Sequence, residues 1–200
     1  MTSHSSHAQE AIGNLSKWGL PEPVLLRIGA FGVLWTVLES RLEQLVWILT
    51  KERVQGTRPT TDKTVASDWI KIVGKGAEWL TPEANQVLSA AAEAASDLME
   101  YRHALVHGWI VPFRHAPFFV RNPNWNGEDR KRPSNDAHID ENLLEMAISA
   151  AATLNDVAAT LKAAPKDSTK LAAFGPSVHR AKSMAYELRQ LREPVTHEDD

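Results

Sequence analysis

The chain of 200 residues has no cysteine and no apolar run long enough to cross a bilayer. Without cysteine it has no disulfide and no thiolate ligand for a metal, which agrees with a reducing cytoplasm. The most apolar stretch, Ile28 to Leu38, falls far short of the ~20 residues that a transmembrane helix needs, and charged residues flank it. We therefore expect a cytoplasmic protein that has no membrane partner.

Other absences narrow the function further. The segment from Met1 to His7 is polar and no hydrophobic region with a cleavage site follows, so no signal peptide is expected. The chain has no internal repeat and no glycine-rich phosphate loop of the Rossmann or Walker type. A net charge of −3 argues against a protein that coats nucleic acid by bulk electrostatics, and 43% hydrophobic residues are enough for one buried core.

What is present is mostly helical periodicity. The apolar residues from Val24 to Leu49 alternate spacings of four and three, which predicts a long helix from about Pro23 to Val54. Further helices are predicted over 9–18, 67–80, 82–107, 140–163 and 177–193. We expect an all-α, up-and-down helical bundle, with a flexible segment at 1–20, the helical domain at 21–164, and a linker with an amphipathic helix and acidic tail at 165–200.

Two features interrupt this helical pattern. Residues 109–113 and 118–121 are rich in β-formers around a turn-like 114–117, which predicts a small β-hairpin that Pro112 confines to a sheet edge. Residues 122–137 are predicted to form a loop. Gly29 and Gly32 lie inside the long helix, where each glycine lowers the stability of the helix by about 1 kcal/mol relative to alanine. Glycine at this cost indicates that another backbone approaches there, from this chain or from a second copy.

The predicted helix 82–107 contains the most informative residues. Thr81 is a good N-cap, Pro82 suits the first helical position and Gly108 is a natural terminator. Arg102 lies roughly 40° from the centre of this helix's apolar stripe, inside the expected buried arc. A guanidinium cannot lose its charge there, so it needs a carboxylate, a phosphate or a hydrated interface.

The segment Arg102-His103-Ala104-Leu105-Val106-His107 resembles the Arg-x(4–6)-His signature of the HEPN superfamily. These compact helical domains include metal-independent endoribonucleases of toxin–antitoxin and anti-phage systems. The resemblance covers roughly residues 23–163 and implies an HEPN-like fold, RNA as the partner, no cofactor, and a homodimer restrained by a cognate antitoxin or other regulatory protein. It also implies cleavage to 2′,3′-cyclic phosphate and 5′-hydroxyl ends.

The residue types fit this chemistry. His107 can act as base or acid near neutral pH, and Arg102 offers a permanent cation with a planar fork to phosphate oxygens. Five residues of ideal helix rotate by 500°, which leaves the two side chains about 140° apart around the axis. Their convergence therefore requires either an unwound last turn or, as the family implies, two motif helices paired across a homodimer.

Other residues are candidates for supporting roles. HEPN nucleases often add an acidic residue from an earlier helix; Glu39 is the candidate to hold Arg102, and Glu43 is nearly as good. Residues 101–135 carry six Arg or Lys against two acids, a local surplus of positive charge that favours an anionic ligand. The candidate RNA-binding residues are His103, Arg114, His115, Arg121, Arg130, Lys131 and Arg132.

Two other classes of function stay open on sequence. Glu100, His103 and His107 have the spacing of metal ligands on one helical face, and His115 or His138 would complete a mononuclear site in a helical-bundle metal-binding protein. The second copy of the motif that a di-iron bundle needs is missing. The remaining class is a catalytically silent HEPN-like dimer that binds RNA, a nucleotide or a partner protein.

Overall fold

A computed structural model describes residues 3–56, 60–111, 117–121, 127 and 136–191. The predicted all-α bundle with a small β-hairpin and an additional C-terminal helix is confirmed. The α-helices in the described residues are α1 (Ser3–Lys17), α2 (Glu22–Leu49), α3 (Ala66–Lys75), α4 (Pro82–His107), α5 (Glu141–Ala163), α6 (Ser168–Ala172) and α7 (Gly175–Gln190). A 3₁₀ turn covers Thr60–Lys63, and the strands are β1 (Trp109–Val111), β2 (Phe118–Val120) and β3 (Ala137–His138).

Helix α2 contains the predicted series of apolar residues that alternate spacings of four and three, which we call the seam. The helix ends at Leu49, five residues before the predicted Val54. Of the seam residues only Ile28 is half-buried, and the others from Val24 to Leu49 are buried. The helix stops because Lys51 has a φ of 56° and the amide of Glu52 turns back to donate to the carbonyl of Trp47 at 2.9 Å. This closure satisfies carbonyls that a helix end leaves without a partner.

Helix α3 is also shorter than predicted, because it ends at Lys75 and not at Leu80. Gly76 has a φ of 64°, a left-handed conformation that side chains disfavour. Asn85 then fixes the turn: its Oδ1 accepts from the Ala77 amide at 3.0 Å and its Nδ2 donates to the Ala77 carbonyl at 3.1 Å. The helix that follows, α4, has the predicted bounds.

The four long helices alternate in direction along the chain. Arg27 of α2 pairs with Glu145 of α5 at 2.7 Å, and Lys182 of α7 pairs with Glu93 of α4 at 2.6 Å. Helix α7 therefore packs on its own chain's core, and it buries Val178, Ala181, Ala185 and Leu188. The predicted linker before it contains the short helix α6.

The hairpin is confirmed, and it belongs to a three-stranded antiparallel sheet in the order β1-β2-β3. The prediction of a loop up to residue 137 was wrong at its end, because Ala137–His138 pairs with Phe118 and Phe119. Two residues of pairing give almost no periodic signal, so this strand depends on the edge that β2 offers. Pro112, which was expected to confine the hairpin to an edge, lies outside the described residues, and β1 is an edge strand.

One expectation about α2 did not hold within the chain, and one further property of this helix was not predicted. No described atom lies within 4 Å of a Cβ built on Gly29 or Gly32, so the close backbone approach predicted there is absent from this chain. By length and composition alone, α2 also qualifies as a membrane-crossing helix, which the short apolar run had not suggested. Its buried seam nevertheless packs inside the bundle, and Arg27 and Arg41 bond to α5.

Candidate functional site

The end of α4 carries the motif on a regular helix. The Thr81 hydroxyl accepts from the Ala84 amide at 3.3 Å at the start, and the Gly108 amide donates to the Ala104 carbonyl at 2.8 Å at the finish. The helix runs through His107. The unwound last turn that would have brought Arg102 towards His107 is therefore not present, and the two side chains leave the helix about 140° apart.

The surrounding burial places the motif at the boundary between core and solvent. Tyr101 and Leu105 are buried, Arg102 and His103 are half-buried, and His107 is exposed. The prediction that Arg102 lies within the buried arc is thus met only in part. Val106, one helical turn after Arg102, is 56% exposed, so this side of α4 opens to solvent near the helix end.

Four basic side chains lie around His103 at this helix end. The rings of His103 and His107 lie 6.1 Å apart between centroids, as expected one helical turn apart. Arg121, the residue after β2, donates from Nη1 to the carbonyl of His103 at 2.8 Å. We call Arg102, His103, His107 and Arg121 the basic cluster.

Arg121 is held in place by the sheet and by the helix together. Its backbone amide donates to Oδ1 of Asp136 at 2.8 Å, just before β3, while its guanidinium reaches the last turn of α4. A cation is favoured at that point, because the carbonyls at a helix C-terminus carry partial negative charge. Arg121 was predicted from the sequence as one of the basic RNA-binding residues, whereas Asp136 was not predicted, since a side chain that bonds to a distant backbone amide leaves no local signal in the sequence.

The electrostatics of the cluster act on His103. Burial lowers the pKa of His103 most, Glu100 raises it, and Arg102, Arg121 and His107 lower it further. The net effect is a pKa below the ordinary value, so this imidazole is neutral at physiological pH. A neutral imidazole can accept a proton or a hydrogen bond as well as donate one.

Arg102 forms no ion pair or hydrogen bond within the described part of the chain. The predicted partner, Glu39, is half-buried on α2, and it forms no ion pair with Arg102. The ring centroids of Phe31 on α2 and Tyr101 on α4 lie 5.9 Å apart, so Phe31 is level with the motif. Glu39 follows Phe31 by about two helical turns, which places it roughly 11 Å further along α2. The alternative, Glu43, is buried and accepts from the Thr61 hydroxyl at 2.9 Å.

The metal-ligand pattern does not close in the described residues. Among them, no group of three His, Asp or Glu side chains is placed to hold a metal ion. His138 stacks on Phe118 on the sheet, with ring centroids 5.6 Å apart, and its carbonyl accepts from the Tyr101 hydroxyl at 3.0 Å. The candidates Arg114, His115, Arg130, Lys131 and Arg132 lie outside the described residues.

No protein-family model, curated protein sequence or solved structure matches this chain.

Proposed function

We propose that this protein is a metal-independent endoribonuclease of the HEPN type, acting as a toxin or defence effector. The observation that carries the proposal is the basic cluster, which places two arginines and two histidines at one solvent-facing helix end. A cationic, titratable site of this kind suits a substrate with phosphates and a proton to transfer.

RNA supplies its own nucleophile, so the protein has only three tasks. A base removes the proton of the 2′-hydroxyl, the 2′-oxygen attacks the adjacent phosphorus, and an acid protonates the departing 5′-oxygen. The products are a 2′,3′-cyclic phosphate and a 5′-hydroxyl. His107 is exposed and carries an imidazole, the side chain that most often transfers protons in catalysis, so it is assigned the proton transfer. Arg102 is assigned the stabilisation of the charge that develops on the phosphorane.

The state of Arg102 supports this assignment. The guanidinium of Arg102 is half-buried, so it has lost part of its hydration. No carboxylate of the described residues pairs with it, so its positive charge is incompletely compensated. A phosphate would supply the missing charge and accept a bidentate pair of hydrogen bonds. Replacing Arg102 by lysine would keep the positive charge but lose the planar fork of the guanidinium.

A second copy of the chain would complete the site. Within one chain the regular helix directs Arg102 and His107 apart, so a composite site needs the motif helix of another subunit. The outer side of α2 has room for a partner: Leu26 is 71% exposed, Val33 is 66% exposed, and Gly29 and Gly32 meet nothing within 4 Å. Exposed apolar patches on a helix are typical of protein interfaces.

The experiment is an RNA cleavage assay in the presence of EDTA. Arg102→Ala and His107→Ala should each lower the cleavage rate by at least ~10²-fold, as loss of a transition-state donor or an acid–base group typically does. Matched controls are Arg180→Ala and His179→Ala, which remove an exposed arginine and an exposed histidine from α7. These controls should cut RNA like the wild type.

Three outcomes separate the alternatives. RNA cleavage at the wild-type rate by both Arg102→Ala and His107→Ala would refute the site assignment. Activity that disappears with EDTA and returns with manganese would move the assignment to the metal-binding class. RNA binding without cleavage would identify the catalytically silent dimer. As a cellular readout of the toxin proposal, expression should slow the growth of the host and His107→Ala should relieve that slowing.

A further inference from the structure

A cavity of about 470 Å³ lies at the end of the bundle opposite to the basic cluster. Its described lining comes from three turns of the chain: Ile48 and Lys51 at the end of α2, Trp79 before α4, and Pro165 and Lys166 after α5. The basic cluster lies at the other end of α4, a helix of 26 residues, so roughly 35 Å separate the two places. We call this space the lysine cavity.

The lining of the lysine cavity combines apolar surface with positive charge. Ile48, Trp79 and Pro165 are half-buried, whereas Lys51 and Lys166 are exposed. Neither lysine side chain forms an ion pair in the described part of the chain. The volume is within the roughly 300–1,000 Å³ of typical small-molecule sites, which also combine apolar walls with a few polar groups.

Two neighbouring cavities share Lys51 with this one. One has about 660 Å³ and is lined in addition by Lys162 and Glu52, and the other has about 440 Å³ and is lined in addition by Glu78. Of these three, the lysine cavity is the one with no acidic residue in its described lining. An anion that enters it therefore meets positive charge without a competing carboxylate.

Lys51 has a backbone conformation that a lysine disfavours. Its φ is 56°, and it is the only non-glycine residue with a positive φ among the described residues. Glycine would close the end of α2 in this conformation without a steric cost. The attraction of a cation to the carbonyls of a helix end does not require this position, because the neighbouring positions offer it as well. A strained residue in the lining of a cavity is typical of ligand-binding sites, so the lysine indicates a function for its side chain.

Hydrogen bonds close each of the three turns that form the walls. After α2, the amide of Glu52 donates back into the helix. Between α3 and α4, the amide of Leu80 donates to the carbonyl of Ala77 at 3.1 Å, and after α5 the amide of Asp167 donates to the carbonyl of Ala164 at 3.0 Å. Walls that are already ordered lose little conformational freedom when a ligand binds.

The indole of Trp79 has an unused hydrogen-bond donor in this lining. Its Nε1 is buried and has no hydrogen-bond partner among the described residues. A buried donor without a partner costs free energy, and an oxygen of a bound ligand would offset that cost.

We propose that the lysine cavity binds a small organic anion that carries a flat apolar body. Lys51 and Lys166 hold the anionic group, while Ile48, Trp79 and Pro165 cover the apolar body. This site does not depend on the proposed nuclease function, because no residue of the basic cluster lines it.

The test is a titration of the isotope-labelled protein with 1-naphthoate, followed by the indole N–H resonances of its seven tryptophans. The resonance that Trp79→Phe removes belongs to Trp79, and 1-naphthoate should shift it. A Kd of roughly 0.01–1 mM is expected for an efficient ligand of about 13 non-hydrogen atoms. Two partial ligands are controls: 1-naphthamide has the body without the charge, and acetate has the charge without the body. Both should bind more weakly than 1-naphthoate.

Three changes at Lys51 separate its charge from its backbone strain. Lys51→Arg keeps the charge and should bind 1-naphthoate like the wild type. Lys51→Gln removes the charge and keeps the strain, so it should weaken binding roughly five-fold. Lys51→Gly removes both, so it should weaken binding to the same extent and raise the Tm by about 2–4 °C.

The matched control is Lys17→Gln, which removes an exposed lysine from the end of α1 and should bind 1-naphthoate like the wild type. Equal binding by Lys51→Gln and the wild type would overturn the inference, as would equal binding of 1-naphthamide and 1-naphthoate. An unshifted Trp79 resonance at millimolar 1-naphthoate would overturn it too, whatever other resonances move. A fall in the Tm of Lys51→Gly would refute the argument that this lysine is kept for its side chain.

Discussion

Two glycine-to-alanine changes should alter stability in opposite directions, because the two glycines are present for different reasons. Gly108 has φ −78° and ψ 154°, a conformation that any residue adopts. Space, not conformation, demands glycine there. A Cβ at Gly108 would overlap the carbonyl oxygen of Ala104 and lie 2.8 Å from the Cβ of Phe119, closer than carbon atoms approach each other.

The contact joins backbone of α4 to strand β2, so neither neighbour can rotate away. Gly108→Ala should therefore push the sheet off the helix end and lower the free energy of unfolding by about 1–3 kcal/mol, as overpacking typically does. For a domain of this size, that corresponds to a fall in Tm of roughly 2–12 °C. RNA cleavage should fall as well, because Arg121 comes to the cluster from β2.

Gly29→Ala is the matched change on a surface with free space. Gly29 lies inside α2, is exposed and has nothing within 4 Å of its Cβ position, so alanine should raise the free energy of unfolding by about 0.5–1 kcal/mol. Thermal unfolding followed by circular dichroism measures both variants. A stable Gly108→Ala protein would refute the close-packed helix end. A destabilised Gly29→Ala protein whose Tm depends on concentration would show that a second subunit packs on Gly29.

Three further predictions test separate parts of the structure. Asn85→Ala should lower the free energy of unfolding by about 1–3 kcal/mol, because it leaves the amide and carbonyl of Ala77 without their partners; urea unfolding checks this. Because burial lowers the pKa of His103, the unfolded chain binds a proton more readily than the folded one, so stability should fall as pH drops through about 6.5. His103→Gln should flatten that dependence of Tm on pH, and an unchanged slope would contradict it. Mixing Arg102→Ala with His107→Ala subunits should give an RNA cleavage rate different from either parent if the site is composite; a monomer by light scattering with full activity would exclude a composite site.

The helices were predictable to different degrees at their two ends. The start of α4 follows from Thr81 and Pro82, residues whose local chemistry begins a helix in most contexts. The end at Gly108 was predicted at the right position but for another reason, since Gly108 is extended and its contact with Phe119 is what excludes a side chain. The ends of α2 and α3 were placed too late. A lysine with positive φ closes α2, and the turn after α3 is held by Asn85, nine residues further along the chain than Gly76. The C-terminal ends of these two helices depend on contacts that the spacing of apolar residues in the sequence does not predict.

The candidate site shows the same division. Arg102, His103 and His107 were found from their spacing and from the conflict between a permanent charge and an apolar stripe. Glu39 was expected to hold Arg102 because both lie near apolar seams, but the antiparallel packing of α2 and α4 puts the carboxylate about two turns away from the motif. Its role in a site shared with a second subunit stays a prediction.

The sequence by itself determined the helical class, the seam of α2, the motif helix and the type of chemistry that arginine and histidine can perform. These are properties of neighbouring residues, since helix periodicity and capping act over a few positions and ionisation is set first by residue type. Only the tertiary structure decided that Arg121 joins His103 and that Asp136 and β3 hold the strand that carries Arg121. Those relations join residues separated by 15 or more positions, and their geometry exists only after the bundle and the sheet have packed.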